Sequence, residues 1–223
     1  MTSQKSVLFL SPHPDDHIMC AGLMLKLRDI GWKLGEVLFT DGSKGGDETI
    51  RKRRFGEYRK ACEFLKVEIL HNFHFVNRSN WESSFQIDDL IDLYQKFSPT
   101  ILILPNLLDY HNEHRIVAQL GIKAVLASNI YRKQTRMPIV LFANGFLLST
   151  SHLLINITDV YEGKKELMKI YSDQMTPYIK QRIEAESLYF GTLLYDKVKA
   201  NTTRAEAYSI PKEWPVDLSS LIA

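Results

Sequence analysis

Apolar strand-like runs recur along the first two thirds of the chain, over Ser6 to Ser11, Leu34 to Phe39, Val67 to Phe73, Thr100 to Pro105 and Pro138 to Ala143. Between them lie amphipathic stretches at about 16–31, 49–66, 87–97 and 112–131, whose apolar positions return at helical spacing. Strand and helix in alternation imply crossovers, and crossovers make parallel strands; runs without polar alternation mark strands covered on both faces. The pattern predicts an α/β fold, a Rossmann-like three-layer sandwich with a mainly parallel sheet ordered 3-2-1-4-5.

Beyond about residue 146 the pattern changes. Asp159 to Gln174 and Pro177 to Lys197 predict two long helices, and Arg204 to Ile210 a last strand. Residues 147–223 therefore read as a helical extension, with a final strand, on a core formed by residues 1–146. No Pro/Gly/Ser-rich linker, repeat or low-complexity segment divides the two parts, so 1–223 is expected to form one domain.

Composition narrows the partners. Lys and Arg number 28 against 26 for Asp and Glu, so no global field draws nucleic acid or an anionic membrane, and a small molecule is the expected partner. No apolar run approaches the roughly 20 residues of a membrane span. Met1 to Lys5 lead straight into the first strand with no signal-peptide core, and Cys20 and Cys62 fall in helical stretches as reduced thiols do. A cytoplasmic protein is expected; self-association stays open.

Two clusters carry the candidate chemistry. His13-Pro14-Asp15-Asp16 follows the first apolar run and His111-Asn112-Glu113-His114 comes shortly after the fourth. Taken alone, Asp15 or Asp16 reads equally well as a helix cap or as a metal ligand, and a His pair three residues apart is more often inconsequential. Position changes the weighting. If the first and fourth strands are neighbours at the switch point of the sheet, both clusters reach the rim where open α/β sheets bind ligands. His13, Asp16 and His114 would then supply a His-Asp-His zinc set, which ferrous iron also accepts. Water on zinc has a pKa of about 7, so Asp15 is the candidate general base. His111 is left to stabilise an oxyanion and protonate a leaving amine.

At these residues the chain resembles the PIG-L/LmbE-like family of zinc-dependent N-deacetylases, which remove acetyl groups from N-acetylglucosamine units. His13 to Asp16 match its first motif, with Gly22 matching a glycine soon after, and His111 to His114 stand where its second motif usually reads His-Pro-Asp-His. The resemblance implies His13, Asp16 and His114 as metal ligands, Asp15 as base, His111 as catalytic histidine and an N-acetylated sugar or glycoconjugate as substrate. The loop Thr40 to Gly46, which contains Asp41, and Arg54-Phe55-Gly56-Glu57 resemble further family segments, implying Asp41 and Arg54 at the substrate. Lys165, Gln174 and Ala205 to Tyr208 resemble later ones. His17, Asn112, Glu113, Tyr171 and Asp173 depart from the family pattern, which leaves substrate identity open. A different acyl amide or ester, or a catalytically inactive metal-binding or sugar-binding module, are the competing readings.

Other features have blander readings. Arg51 to Arg54 suit a solvated helix face better than a nucleic-acid patch, Arg54 excepted. Gly42, Gly45 and Gly46 lack the Gly-Lys-Ser/Thr ending of a phosphate loop. His71 and His74 are expected to be structural, His152 has no visible partner, and Asn77 to Trp81 read as either a sugar-facing or an ordinary loop.

Overall fold

Consecutive strand side chains point to opposite faces, and the first apolar run feeds two cores at once: Val7 and Phe9 enter one buried cluster, Leu8 and Leu10 another. The same division runs through Ile101 and Ile103 against Leu102 and Leu104. The computed structural model describes residues 4–132, 137–144, 153–194 and 202–211. Its strands are β1 (Ser6–Ser11), β2 (Lys33–Thr40), β3 (Val67–Phe75), β4 (Ile101–Pro105), β5 (Ile139–Ala143), β6 (Leu153–Asn156) and β7 (Ala205–Ser209). The α-helices are α1 (Ala21–Asp29), α2 (Glu48–Leu65), α3 (Ile87–Phe97), α4 (Asn112–Arg132), α5 (Tyr161–Ile170) and α6 (Pro177–Leu194). Residues of α1, α2 and α5 join the first cluster and those of α3 and α4 the second, so helices cover both faces of the sheet.

The sheet runs β3-β2-β1-β4-β5-β7-β6. β1 lies parallel between β2 and β4, with Val7 opposite Leu34 on one side and Ile101 on the other. The predicted five-strand order thus needs correction beyond β5, because β7 joins antiparallel to β5 and pairs antiparallel with β6. The extension is not purely helical; it widens the sheet by two strands. β6, Leu-Leu-Ile-Asn, was not predicted, since four apolar residues carry no usable period and their partner lies far downstream. The helix expected at 159–174 ends at Ile170, and the first helix begins as a 3-10 turn, Asp16–Cys20. His152 and the last residues of the helix expected to reach Lys197 lie outside the described residues.

Besides the β5–β7 pairing, a buried ion pair ties the extension to the core. Glu206 of β7 accepts hydrogen bonds from the Gly22 and Leu23 N–H groups at 2.8 and 2.9 Å, satisfying free donors in the first turn of α1. Lys164 of α5 donates to the same carboxylate at 2.6 Å, and Tyr208 Oη at 2.8 Å. Gly22 is required there, because a Cβ would meet Ile157 at 2.6 Å and the Glu206 carboxylate at 2.9 Å. The buried lysine is Lys164; Lys165, which the resemblance singled out, is only half-buried and pairs with Glu162. Lys164→Met is expected to cost about 3–5 kcal/mol, since it leaves the Glu206 carboxylate buried without its counter-ion. Urea unfolding followed by circular dichroism measures this. A loss below about 1 kcal/mol, the range of exposed pairs, would mean that the hydrogen bonds from α1 and Tyr208 suffice.

Candidate metal centre and its cleft

Because β1 and β4 are direct neighbours, the turn after β1 and the loop after β4 leave the sheet side by side. Ser11 Oγ donates to the His13 carbonyl at 2.6 Å, and the His13 N–H donates to Asp16 Oδ2 at 2.7 Å, which curls the first turn so that both side chains face the second loop. There His13 Nδ1 lies 3.1 Å from Asp16 Oδ2 and 3.2 Å from His114 Nε2, and His114 Nε2 lies 3.3 Å from Asp16 Oδ1. A tetrahedral ion with bonds of about 2.0–2.1 Å has ligand-to-ligand edges of about 3.3 Å. The three residues are spaced as such an ion would hold them.

Each histidine is oriented by a carboxylate behind it. His13 Nε2 meets Glu113 Oε2 at 2.7 Å and His114 Nδ1 meets Asp109 Oδ2 at 2.9 Å. With those nitrogens protonated, both inward nitrogens present lone pairs toward the two oxygens of Asp16, an arrangement that repels itself unless a cation sits among them. Without a metal, protons serve. Burial opposes charge on either ring, yet the charge of Asp16 and the hydrogen bonds of the carboxylates outweigh it, raising His13 to about 9 and His114 to about 10. Burial likewise opposes charge on Asp16, but His114 and His13 hold it well below the carboxylate range. The donor set fits zinc or ferrous iron.

Asp109 and Glu113 were not among the predicted site residues. Glu113 is held by Asn77 Nδ2 at 2.6 Å, the Arg78 N–H at 2.8 Å and Trp81 Nε1 at 3.1 Å. Burial works against its ionisation, but these bonds and that of His13 hold its carboxyl down to about 2. The loop 77–81 that read as sugar-facing or ordinary therefore secures a carboxylate behind the metal centre, and its only sequence signal was an Asn and a Trp close together.

Asp15 and His111 flank this centre, and both line a cleft of about 380 Å³ with His13, Asp16 and His114. That volume falls within the roughly 300–1,000 Å³ of small-molecule sites. Burial, reinforced by the charge of Asp16, raises Asp15 to about 6; Gln174 Nε2 donates to its Oδ1. His111 Nδ1 is a buried nitrogen without a hydrogen-bond partner among the described residues. Burial, then the charges of His13 and His114, lower its pKa. Ring nitrogens of His111, His13 and His114 all lie within 4.8 Å of one another, so by distance His111 is an alternative third ligand.

The remaining predicted residues divide. Arg54 lines the cleft, but its guanidinium is engaged: Nη1 donates to the Gly42 carbonyl at 2.9 Å, and Nε and Nη2 donate to Asp173 at 3.3 and 2.9 Å. Asp41 does not line the cleft; its Oδ1 accepts from the N–H groups of Ser43 and Asn77, joining the loop after β2 to the loop after β3. His17 is fully buried, with Nδ1 3.0 Å from Glu36 Oε2 of β2 and Nε2 2.7 Å from Tyr171 Oη, which donates to the Pro14 carbonyl. Its departure from the family pattern thus has buried partners. Glu113→Gln is expected to weaken zinc binding about 10- to 100-fold, the usual consequence of losing a carboxylate behind a ligating histidine. Competition with a chromophoric chelator reads this, and unchanged affinity would assign Glu113 to the loop alone.

Comparison with known proteins gives the same direction. A diacetylchitobiose deacetylase of Thermococcus kodakarensis is 27% identical over 214 residues, covering 85% of this chain and 79% of its own. Among solved structures, the 4-carboxy-2-hydroxymuconate hydratase GalB of Pseudomonas putida superposes with a TM-score of 0.79 at 17% identity, covering 96% of this chain and 99% of its own. The N,N'-diacetylchitobiose deacetylase of Pyrococcus horikoshii does so with a TM-score of 0.75 at 19% identity, covering 94% and 84%. A hydratase and a deacetylase share this fold, so the fold alone does not choose the reaction. The family model described as PIG-L, GlcNAc-PI de-N-acetylase, matches residues 8–125, more than half of the chain and a span that includes both clusters, and the chain belongs to that family.

Proposed function

We propose that this protein is a metal-dependent N-deacetylase acting on an N-acetylated amino sugar of the N-acetylglucosamine type, or its conjugate. The observation that carries the reading is the convergence of His13 Nδ1, His114 Nε2 and both Asp16 oxygens on one point, beside a carboxylate at Asp15 that points into the same cleft. The family match supports the reaction, and the Thermococcus relative, a diacetylchitobiose deacetylase, supports an acetylated sugar as the substrate class.

His13, Asp16 and His114 are the ligands in this reading. A divalent metal, zinc or ferrous iron, supplies Lewis acidity that polarises the acyl carbonyl and acidifies water. Asp15 takes a proton from the attacking water as its oxygen bonds to the acyl carbon, and Gln174 fixes which carboxylate oxygen faces it. His111 Nδ1, which has no hydrogen-bond partner among the described residues and lies 4.0 Å from Glu113 Oε2, offers a hydrogen-bonding group for the developing oxyanion and the departing nitrogen. The C–N bond then breaks, the proton passes to nitrogen, and acetate and a free amine leave. Arg54 and the rim around it take the sugar. Both cysteines are free and buried, in keeping with action in the cytoplasm. Among the described residues, no helix is long and apolar enough to cross a membrane.

The test is amine release from a panel of N-acetyl sugars, N-formyl and non-sugar acetamides and esters, with acetate measured in parallel. Release only from non-sugar compounds overturns the sugar assignment. Asp15→Asn is expected to bind zinc normally and lose about 10²- to 10⁴-fold in kcat, the usual contribution of a general base. His111→Gln is expected to lose about 10²- to 10³-fold, as for a single oxyanion donor. Zinc stoichiometry distinguishes the roles: a His111 variant that no longer holds metal would make His111 a ligand.

A further inference from the structure

The segment linking α5 to α6 places Asp173 on the rim of the cleft, opposite the glycine-containing loop. Its carboxylate gathers three cations. Oδ2 lies 2.8 Å from Arg53 Nη2, 2.9 Å from Arg54 Nη2 and 3.6 Å from Lys44 Nζ, while Oδ1 accepts from Arg54 Nε at 3.3 Å. A guanidinium fork closed on a carboxylate, with two further cations on the same oxygen, is the contact set a substrate phosphate or carboxylate would need. Here the protein's own anion fills it. Burial counts against charge on Asp173, yet Arg54, Arg53 and Lys44 more than offset this and keep it ionised.

Resting on the deacetylase reading above, we propose that Asp173 sets the substrate class: it is the resident anion of a basic subsite, so the cleft accepts a neutral sugar at this rim and turns away a phosphorylated or carboxylated one. A hydroxyl both donates and accepts. It can donate to the remaining lone pairs of Asp173 and accept from Arg54, of whose five N–H groups three are engaged. A substrate anion instead meets the like charge of Asp173, the repulsive element by which a site discriminates between ligands that fit equally well. Arg54 therefore acts through the pair it forms with Asp173 and not as a free anion hook.

The experiment compares kcat/KM for 4-nitrophenyl N-acetyl-β-glucosaminide and its 6-phosphate in the wild type, Asp173→Ser and Asp173→Asn, by amine release, with inorganic phosphate binding to each protein measured by calorimetry. The wild type is expected to favour the neutral substrate. Asp173→Ser is expected to raise the ratio of phosphorylated to neutral kcat/KM at least tenfold and to tighten phosphate binding by a similar factor, with Asp173→Asn between them because it removes the charge but fills the space. A wild type that favours the phosphorylated substrate, or variants in which neither ratio nor phosphate affinity moves, overturns the proposal. If no protein releases amine from either compound, the deacetylase reading fails while phosphate affinity still decides whether Asp173 occupies an anion site. If Asp173→Ser does not fold, the Asp173→Asn comparison decides it.

Discussion

Everything at the site depends on one strand pairing. β1 and β4 lie side by side although more than eighty residues separate them in the chain, and they run parallel in a register that sets Val7 against Ile101 and Phe9 against Ile103. Their carboxyl ends therefore finish at one edge of the sheet, and the turn bearing His13 and Asp16 faces the loop bearing Asp109 and His114. A one-residue slip would send every inward side chain of β1 to the other face. Such a slip would exchange Val7 and Phe9 with Leu8 and Leu10 between two separately packed cores. The strand register thus sets where the candidate ligands meet.

Holding those ligands has an electrostatic cost. Glu113 and Asp109 turn the histidine lone pairs inward toward Asp16, and the charge gathered there is balanced only by protons or a cation. The surroundings are built to sustain that tension: Glu113 is anchored by three donors from the loop after β3, and Asp15 by Gln174. Polar groups beneath the site follow the same rule, as with His17 between Glu36 and Tyr171.

The parts legible in the sequence were those that repeat. Apolar strand-like runs announced the five parallel strands, and the position of two clusters beyond the first and fourth runs announced where they would meet. β6 was hidden because Leu153 to Asn156 have no period of their own. Asp109 and Glu113 were hidden for a different reason: a carboxylate near a histidine is read as a cap, a ligand or a surface charge until its geometry is known. Asp41 showed the converse, since its place in a family-like loop suggested a substrate contact while its oxygen joins two loops. Arg54 carries a sequence signal of its own, but its partner Asp173 lies over a hundred positions away and no local pattern joins them.

The four residues after α5 each reach a different part of the core: Tyr171 the Pro14 carbonyl, Ser172 Glu57, Asp173 Arg54 and Gln174 Asp15. The chain is made from its amino end, so a growing polypeptide that has emerged through α4 already carries the residues proposed to hold metal, but none of the strap that orients Asp15. The proposed ligand set is thus complete in the chain before the segment that fixes Asp15 has been made.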